Sequence, residues 1–158
     1  MTEEQAKAPQ NQFSIQKLYV KDISFESPST PDIFGFTSWQ PKIELNLNSN
    51  NKLISEGVYE VVLSVTATVK HEEKTAFLVE VHQAGVFQIS GFNEQDTKYI
   101  LGSQCTNILF PYAREVVSDL TSRGGFPPLL LSPVNFEAVY AQAVQQQKAQ
   151  QGADPVKH

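Results

Sequence analysis

The sequence predicts an α+β domain: a four-stranded antiparallel Greek-key sheet with two helices packed on one face. Three observations predict it. Three stretches with a two-residue apolar period follow one another with only polar turns between them, the signature of an antiparallel meander. An earlier strand-like stretch reaches the next one only through a long Pro-containing loop, which favours its return beside the fourth strand. Two helical stretches come last, each with an apolar stripe at helical spacing.

Taken in order, residues 1–12 are polar and contain Pro9, so they are expected to be disordered. Residues 13–26 read as a strand, with Tyr19, Ile23 and Phe25 on one face and Asp22, Ser24 and Glu26 on the other. Leu18 and Val20 break that alternation, which points to a bulge or a two-sided stretch. Residues 27–40 hold the breakers Pro28, Pro31 and Gly35, yet also Ile33, Phe34, Phe36 and Trp39, too apolar for a solvated connector. In residues 41–48, Ile43, Leu45 and Leu47 alternate with Lys42, Glu44 and Asn46, and residues 48–57 carry turn chemistry. The third strand, 58–70, places Tyr59, Val61, Leu63, Val65, Ala67 and Val69 on one side. A polar turn at 71–74 leads to the fourth strand, 75–90, where Phe77, Val79, Val81, Phe87 and Ile89 share a face and Gly85 marks a bend.

Residues 99–102 suggest a helical turn, and Pro111 suits the first position of a full helix. In that helix Ala113, Val116, Val117 and Leu120 form the apolar stripe, and Gly124-Gly125 stops it. The connector Phe126-Pro127-Pro128-Leu129-Leu130-Leu131 is again apolar. It is buried, or it presents a surface. A second helix is expected from Ser132 as N-cap and Pro133, with Phe136, Val139, Tyr140, Ala143 and Val144 as its apolar stripe. Beyond Gln145 the chain reads as a frayed polar tail, with residues 148–158 flexible.

A length of 158 residues suits one domain. The formal charge of -5 argues against nucleic acid and favours a basic partner or simple solubility. A single cysteine, no apolar signal core and no membrane-length run point to a soluble cytoplasmic protein without membrane insertion.

Catalytic chemistry is thin. His71, His82 and His158 lack zinc-ligand spacing. Cys105 stands beside a helix start and is conceivable as a nucleophile, but a free cysteine is more often a buried hydrophobe. Glu80 near Asp22 or Glu26 imitates a carboxylate pair, although a solvated strand face explains it more simply. No catalytic residue, metal or cofactor is expected. What stands out is apolar surface in loops: either a core lid, or a groove between the two loops and the second helix. Such a groove selects exposed hydrophobicity rather than sequence. It suits a holdase working without nucleotide, with a carrier of small hydrophobic ligands as the alternative.

The segments CTNILFPYARE from Cys105 and SRGGFPPLLLSPVNFEAVY from Ser122 resemble the SecB family of bacterial export chaperones. KDISFE from Lys21, WQPKIELNL from Trp39, VYEVVLSVTATV from Val58 and TAFLVEVHQAGVF from Thr75 resemble it as well, so the likeness covers residues 13–147. The resemblance implies a homotetramer built as a dimer of dimers. It implies unfolded precursor proteins held in grooves matched by Trp39, Ile43, Leu45, Leu47 and Phe136. It further implies delivery to the SecA translocation ATPase, whose zinc-containing tail docks on an acidic patch matched by Asp22, Glu26, Leu78 and Glu80. The zinc belongs to SecA. Family tails are often acidic, whereas residues 145–158 carry Lys148 and Lys157 and only Asp154, a departure from the family pattern.

Overall fold

The computed structural model describes residues 10–152; of the disorder expected of residues 1–12 and the flexibility expected of residues 148–158, the parts at 1–9 and 153–158 lie outside the described residues, while Gln12 already belongs to a strand and 148–152 to a helix. Strands β1 (Gln12–Glu26), β2 (Lys42–Ser55), β3 (Val58–His71) and β4 (Lys74–Ser90) form one sheet in the order β1-β4-β3-β2. Every pairing is antiparallel, so β1 returns beside β4 as the connection lengths required. The alternation of β3 and β4 is present, with one irregularity at Ala76 where the register shifts between Val69 and Lys70: Val61, Leu63, Val65, Val69, Phe77, Val79, Val81 and Phe87 are buried on the helix-facing side. Each contributes about 1.5–3 kcal/mol relative to exposure.

β1 carries two bulges, between Ile15 and Lys17 and between Val20 and Asp22, where the broken alternation suggested one. They change the face assignment. Tyr19 pairs with Ala84 and shares the outer face with Asp22, Ser24 and Glu26, not the inner face with Ile23 and Phe25. β2 is also longer than its alternating half. Asn48 to Ser55, expected as turn, pair with β3 from Ser64 back to Val58, and only Glu56 and Gly57 form the turn. The ladder of β3 overrides the weak strand propensity of Asn and Ser, which an edge strand tolerates. Gly85 leaves no break in the ladder; a Cβ there would stand 2.7 Å from the Phe87 ring and 3.1 Å from Leu18, so the glycine makes room for side chains.

The helical part starts earlier than Pro111. Asn93 caps α1 (Glu94–Tyr99), accepting a 2.7 Å hydrogen bond from the Asp96 N–H. A wider π-turn at Ile100–Gln104 continues directly into α2 (Cys105–Arg123), with Pro111 inside it. Proline is tolerated there because Pro111 and Asn107, whose carbonyl loses its donor, both lie on the exposed side. The opposite side buries Cys105, Leu109, Phe110, Ala113 and Val117 on the sheet. Gly125, at φ 86°, ends the helix in the left-handed region, and Phe126 N–H returns to Thr121 O at 3.1 Å.

α3 (Phe136–Gly152) is capped by Asn135, not Ser132: the Ala138 N–H donates to Asn135 Oδ1 at 3.1 Å. It runs through the Gln- and Ala-rich segment expected to fray, as those good helix formers allow. α3 packs against the π-turn, with the Tyr140 ring on Gly102, where a Cβ would stand 2.5 Å from the ring.

Candidate functional site

Two surfaces gather the candidate residues, one on each side of the sheet. On the helix side, β2 is an edge strand whose inner positions Ile43, Leu45 and Leu47 pair with Val69, Ala67 and Val65. The pairing partners are buried, but Ile43 is 48% and Leu45 40% exposed. α2 lies over β4 and β3 and stops short of covering β2. The uncovered inner face of β2 from Ile43 to Leu47 is an apolar line about 13 Å long.

Two cavities lie nearby, one under the loop that precedes β2 and one adjoining Leu47. One, of about 270 Å³, is walled by Ile33, Phe34, Phe36, Trp39 and Phe126. The other, of about 290 Å³, lies between β2 and α3 against Leu47, Leu63, Thr106, Phe136 and Tyr140. Trp39 is half-buried and belongs to an aromatic chain. Its ring is 5.7 Å from Phe36 and 5.7 Å from Phe126, which is 4.8 Å from Phe77 in the core. The loop is therefore a lid on the core and a wall of the groove together. Phe136 is 4% exposed and packs edge-on to Phe110 at 5.6 Å, so it forms a floor rather than a free contact. In the connector Phe126 and Leu131 are buried while Leu130 is 62% exposed.

The outer face holds the acidic residues. Asp22 pairs with His82, Ser24 with Glu80 and Glu26 with Leu78, so Asp22, Glu26, Leu78 and Glu80 sit together on neighbouring strands. The three carboxylates are exposed and Leu78 is half-buried among them. Sequence reasoning missed two features. His82 Nε2 lies 2.7 Å from Glu80 Oε1, placing an imidazole inside the patch. Beside it, Glu60 is buried and accepts hydrogen bonds from the Tyr19 hydroxyl and from Lys21 Nζ at 2.8 Å. The Lys21 and Tyr19 contacts hold the Glu60 carboxyl below the usual carboxylate range, against the opposing effect of its burial. Burial and the neighbouring Glu60 push Tyr19 up to about 12. The two-residue period placed Glu60 on this face, but its partners depend on the bulge at Lys21.

Catalytic alternatives fare poorly. Cys105 is fully buried, and burial pushes its thiol up to about 12, away from thiolate chemistry. His71 and His82 face opposite sides of the sheet. Among the described residues no group of three or more His, Cys, Asp or Glu side chains could hold a metal ion. No helix of the described residues is long and apolar enough to cross a membrane.

A family model described as preprotein translocase subunit SecB matches residues 5–147. A Methylococcus capsulatus protein named protein-export protein SecB is 60% identical over 152 residues, covering 96% of each chain. A Nitrosococcus oceani protein of the same name is 57% identical over 150 residues, covering 94% of this chain and 91% of its own. Among solved structures, a SecB-like chaperone of Mycobacterium tuberculosis, in complex with a peptide from an antitoxin, is similar with a TM-score of 0.64. It is 17% identical, and the match covers 77% of this chain and 90% of that one. At that identity the likeness concerns the fold.

Proposed function

Because the chain belongs to the SecB family of protein-export chaperones, we propose that it holds unfolded precursor proteins along the groove of β2 and hands them to SecA from the outer sheet face. The observation that carries this reading is the uncovered inner face of edge strand β2, where Ile43 and Leu45 are exposed, with two aromatic-walled cavities nearby. Trp39, Ile43, Leu45 and Leu47 are the client contacts, and Phe136 supports them from below. A surface with many apolar contacts and few fixed polar ones binds chains of differing sequence. It lowers the free unfolded population by mass action, with no nucleotide. The family disfavours the small-ligand carrier and the enzyme.

Asp22, Glu26 and Glu80 around Leu78 fit a basic peptide with a small apolar anchor, which is how the SecA tail would dock in the cytoplasm. Assembly into a homotetramer, a dimer of dimers, is supported by apolar surface at the other sheet edge. Ile15, Val20 and Ile23 on the inner face of β1 are 43–47% exposed, and Tyr112 of α2 is 49% exposed. A second copy would bury them.

The test is light scattering of a refolding, aggregation-prone protein with and without this chain and without nucleotide. Suppression at near-stoichiometric ratios supports the reading. No suppression, from a chain that sedimentation shows to be assembled, removes it.

A further inference from the structure

His71 ends β3 on the inner face, two residues after Val69, and is 3% exposed. Its ring supports the aromatic wall of the groove: the Phe36 ring is 3.9 Å away and the Trp39 ring 5.3 Å away, nearly parallel at 23°. Its Nδ1 accepts the Gln40 N–H at 3.3 Å, one residue past Trp39. The proton of the neutral ring therefore sits on Nε2, which is buried with no hydrogen-bond partner. An imidazolium would turn Nδ1 into a second donor facing the Gln40 N–H, so this arrangement requires the neutral ring.

Few charges face it. Glu72 Oε1, in the turn of its own strand, is 3.8 Å from Nε2 and largely exposed. Lys74 is its exposed ladder partner on β4. Lys70 and its β2 partner Lys42 lie on the opposite face. The elements packed on the ring contribute Phe36 and Trp39, which carry no charge. Protonation would exchange the bond that holds the loop for an attraction toward the turn.

We infer that His71 is a positioning residue of the client groove, whose neutral imidazole fixes Phe36 and Trp39 through the Gln40 N–H, so that client capture weakens when the ring is protonated. The inference rests on the groove assignment above, and its two readouts separate the two claims. Trp39 is the only tryptophan, so its emission reports the loop without any client. Capture is read by anisotropy of a dye-labelled polypeptide kept unfolded by reduction and alkylation. Both are measured on the full chain from about pH 8 to about pH 5.

In the wild type, emission and capture should change together, with affinity falling about fivefold, the worth of a typical lost hydrogen bond. His71→Asn supplies an amide oxygen near the Nδ1 position that does not titrate, so both readouts should stay flat. His71→Phe keeps the ring without the acceptor, and should show the acid-state emission and weakened capture at every pH. His82→Gln, on the opposite face, should retain the wild-type transition. A wild-type transition in His71→Asn, or unaltered emission and capture in His71→Phe, overturns the inference. Emission that follows His71 while capture ignores it also overturns the role in the groove, and moves the client wall elsewhere. The wild-type pH series alone tests the idea if a variant fails to fold: flat emission overturns it.

Discussion

Lys21, the residue that the second bulge inserts into β1, reaches across β4 to lie 2.8 Å from Glu60 on β3. The Tyr19 hydroxyl meets the same carboxylate from the other side of the bulge. Glu60 thus grips both flanks of the irregularity that turns Asp22 and Glu26 outward. Lys21 is 45% exposed and can be rehydrated, so its ion pair contributes little; the half-buried Tyr19 hydroxyl contributes more. Glu60→Ala should lower unfolding free energy by about 1.5–3 kcal/mol in urea, the worth of a hydrogen bond to a charged group, lost here by the half-buried Tyr19 hydroxyl. It should also weaken docking of a basic peptide on the outer face.

The same cluster fixes a pH dependence. The Glu60 carboxyl is lowered from 4.5, so its contribution is present above that value and is lost as pH falls through the folded-state value. Tyr19 is raised from 10.0 to about 12, so its contribution is complete below 10.0 and fades as pH climbs through about 12. In an alkaline absorbance titration, one of the 5 tyrosines should ionise late in the wild type. In Glu60→Gln that late step should move toward the others. Its persistence at the same pH would show that Glu60 is not among the causes.

Glu80→Lys should abolish binding of the SecA tail peptide in calorimetry and leave aggregation suppression intact, because the groove lies on the other face of the sheet. In the wild type, added salt should weaken that binding, since the charges are exposed. Loss of aggregation suppression in the same variant would sink the two-surface arrangement.

Ile43→Ser with Leu45→Ser tests the groove with little penalty to the fold, since both side chains are substantially exposed. Stability in urea should change by less than about 1 kcal/mol in total, from roughly 0.5 per surface substitution. Capture of unfolded chains should drop by about tenfold or more if a client buries the exposed 40–48% of both side chains, together worth roughly 1.3–2.6 kcal/mol. Capture at the wild-type ratio would place the clients elsewhere.

The β3–β4 turn holds Glu72 at φ 48° and Glu73 at φ 66°, a pair of left-handed residues in which neither is glycine. Replacing Glu73 by glycine should stabilise the chain by roughly 0.5–1 kcal/mol, because relief of the left-handed strain outweighs the added freedom of the unfolded chain. A midpoint in urea at or below that of the wild type would contradict it.

Periodicity made most of the sheet legible. Val61 to Val69 and Phe77 to Val81 alternate because one face is buried, and burial is what a two-residue period records. The second half of β2 was not legible, since Asn48, Asn50 and Asn51 resemble a turn and only their partners on β3 make them strand. Pro111 misled because proline usually opens a helix; the usable start signal was Asn93 followed by Asp96. The acidic patch was legible from even spacing on strands one and four, but its buried anchor was not, because bulges move residues between faces. His71 was within reach, being two residues beyond Val69 on the same face, had the polar turn not claimed it.

The edge of β2 also bears on release. A sheet edge offers unpaired backbone groups to any extended chain, and a client added as a fifth strand would be held by a whole ladder. Here Lys42, Glu44, Asn46, Asn48, Asn50 and Lys52 line the outer face of that edge, a charged and amide-rich border that discourages such pairing. A client held through side chains alone would lack that ladder, and the loss would be felt mainly as a faster off-rate.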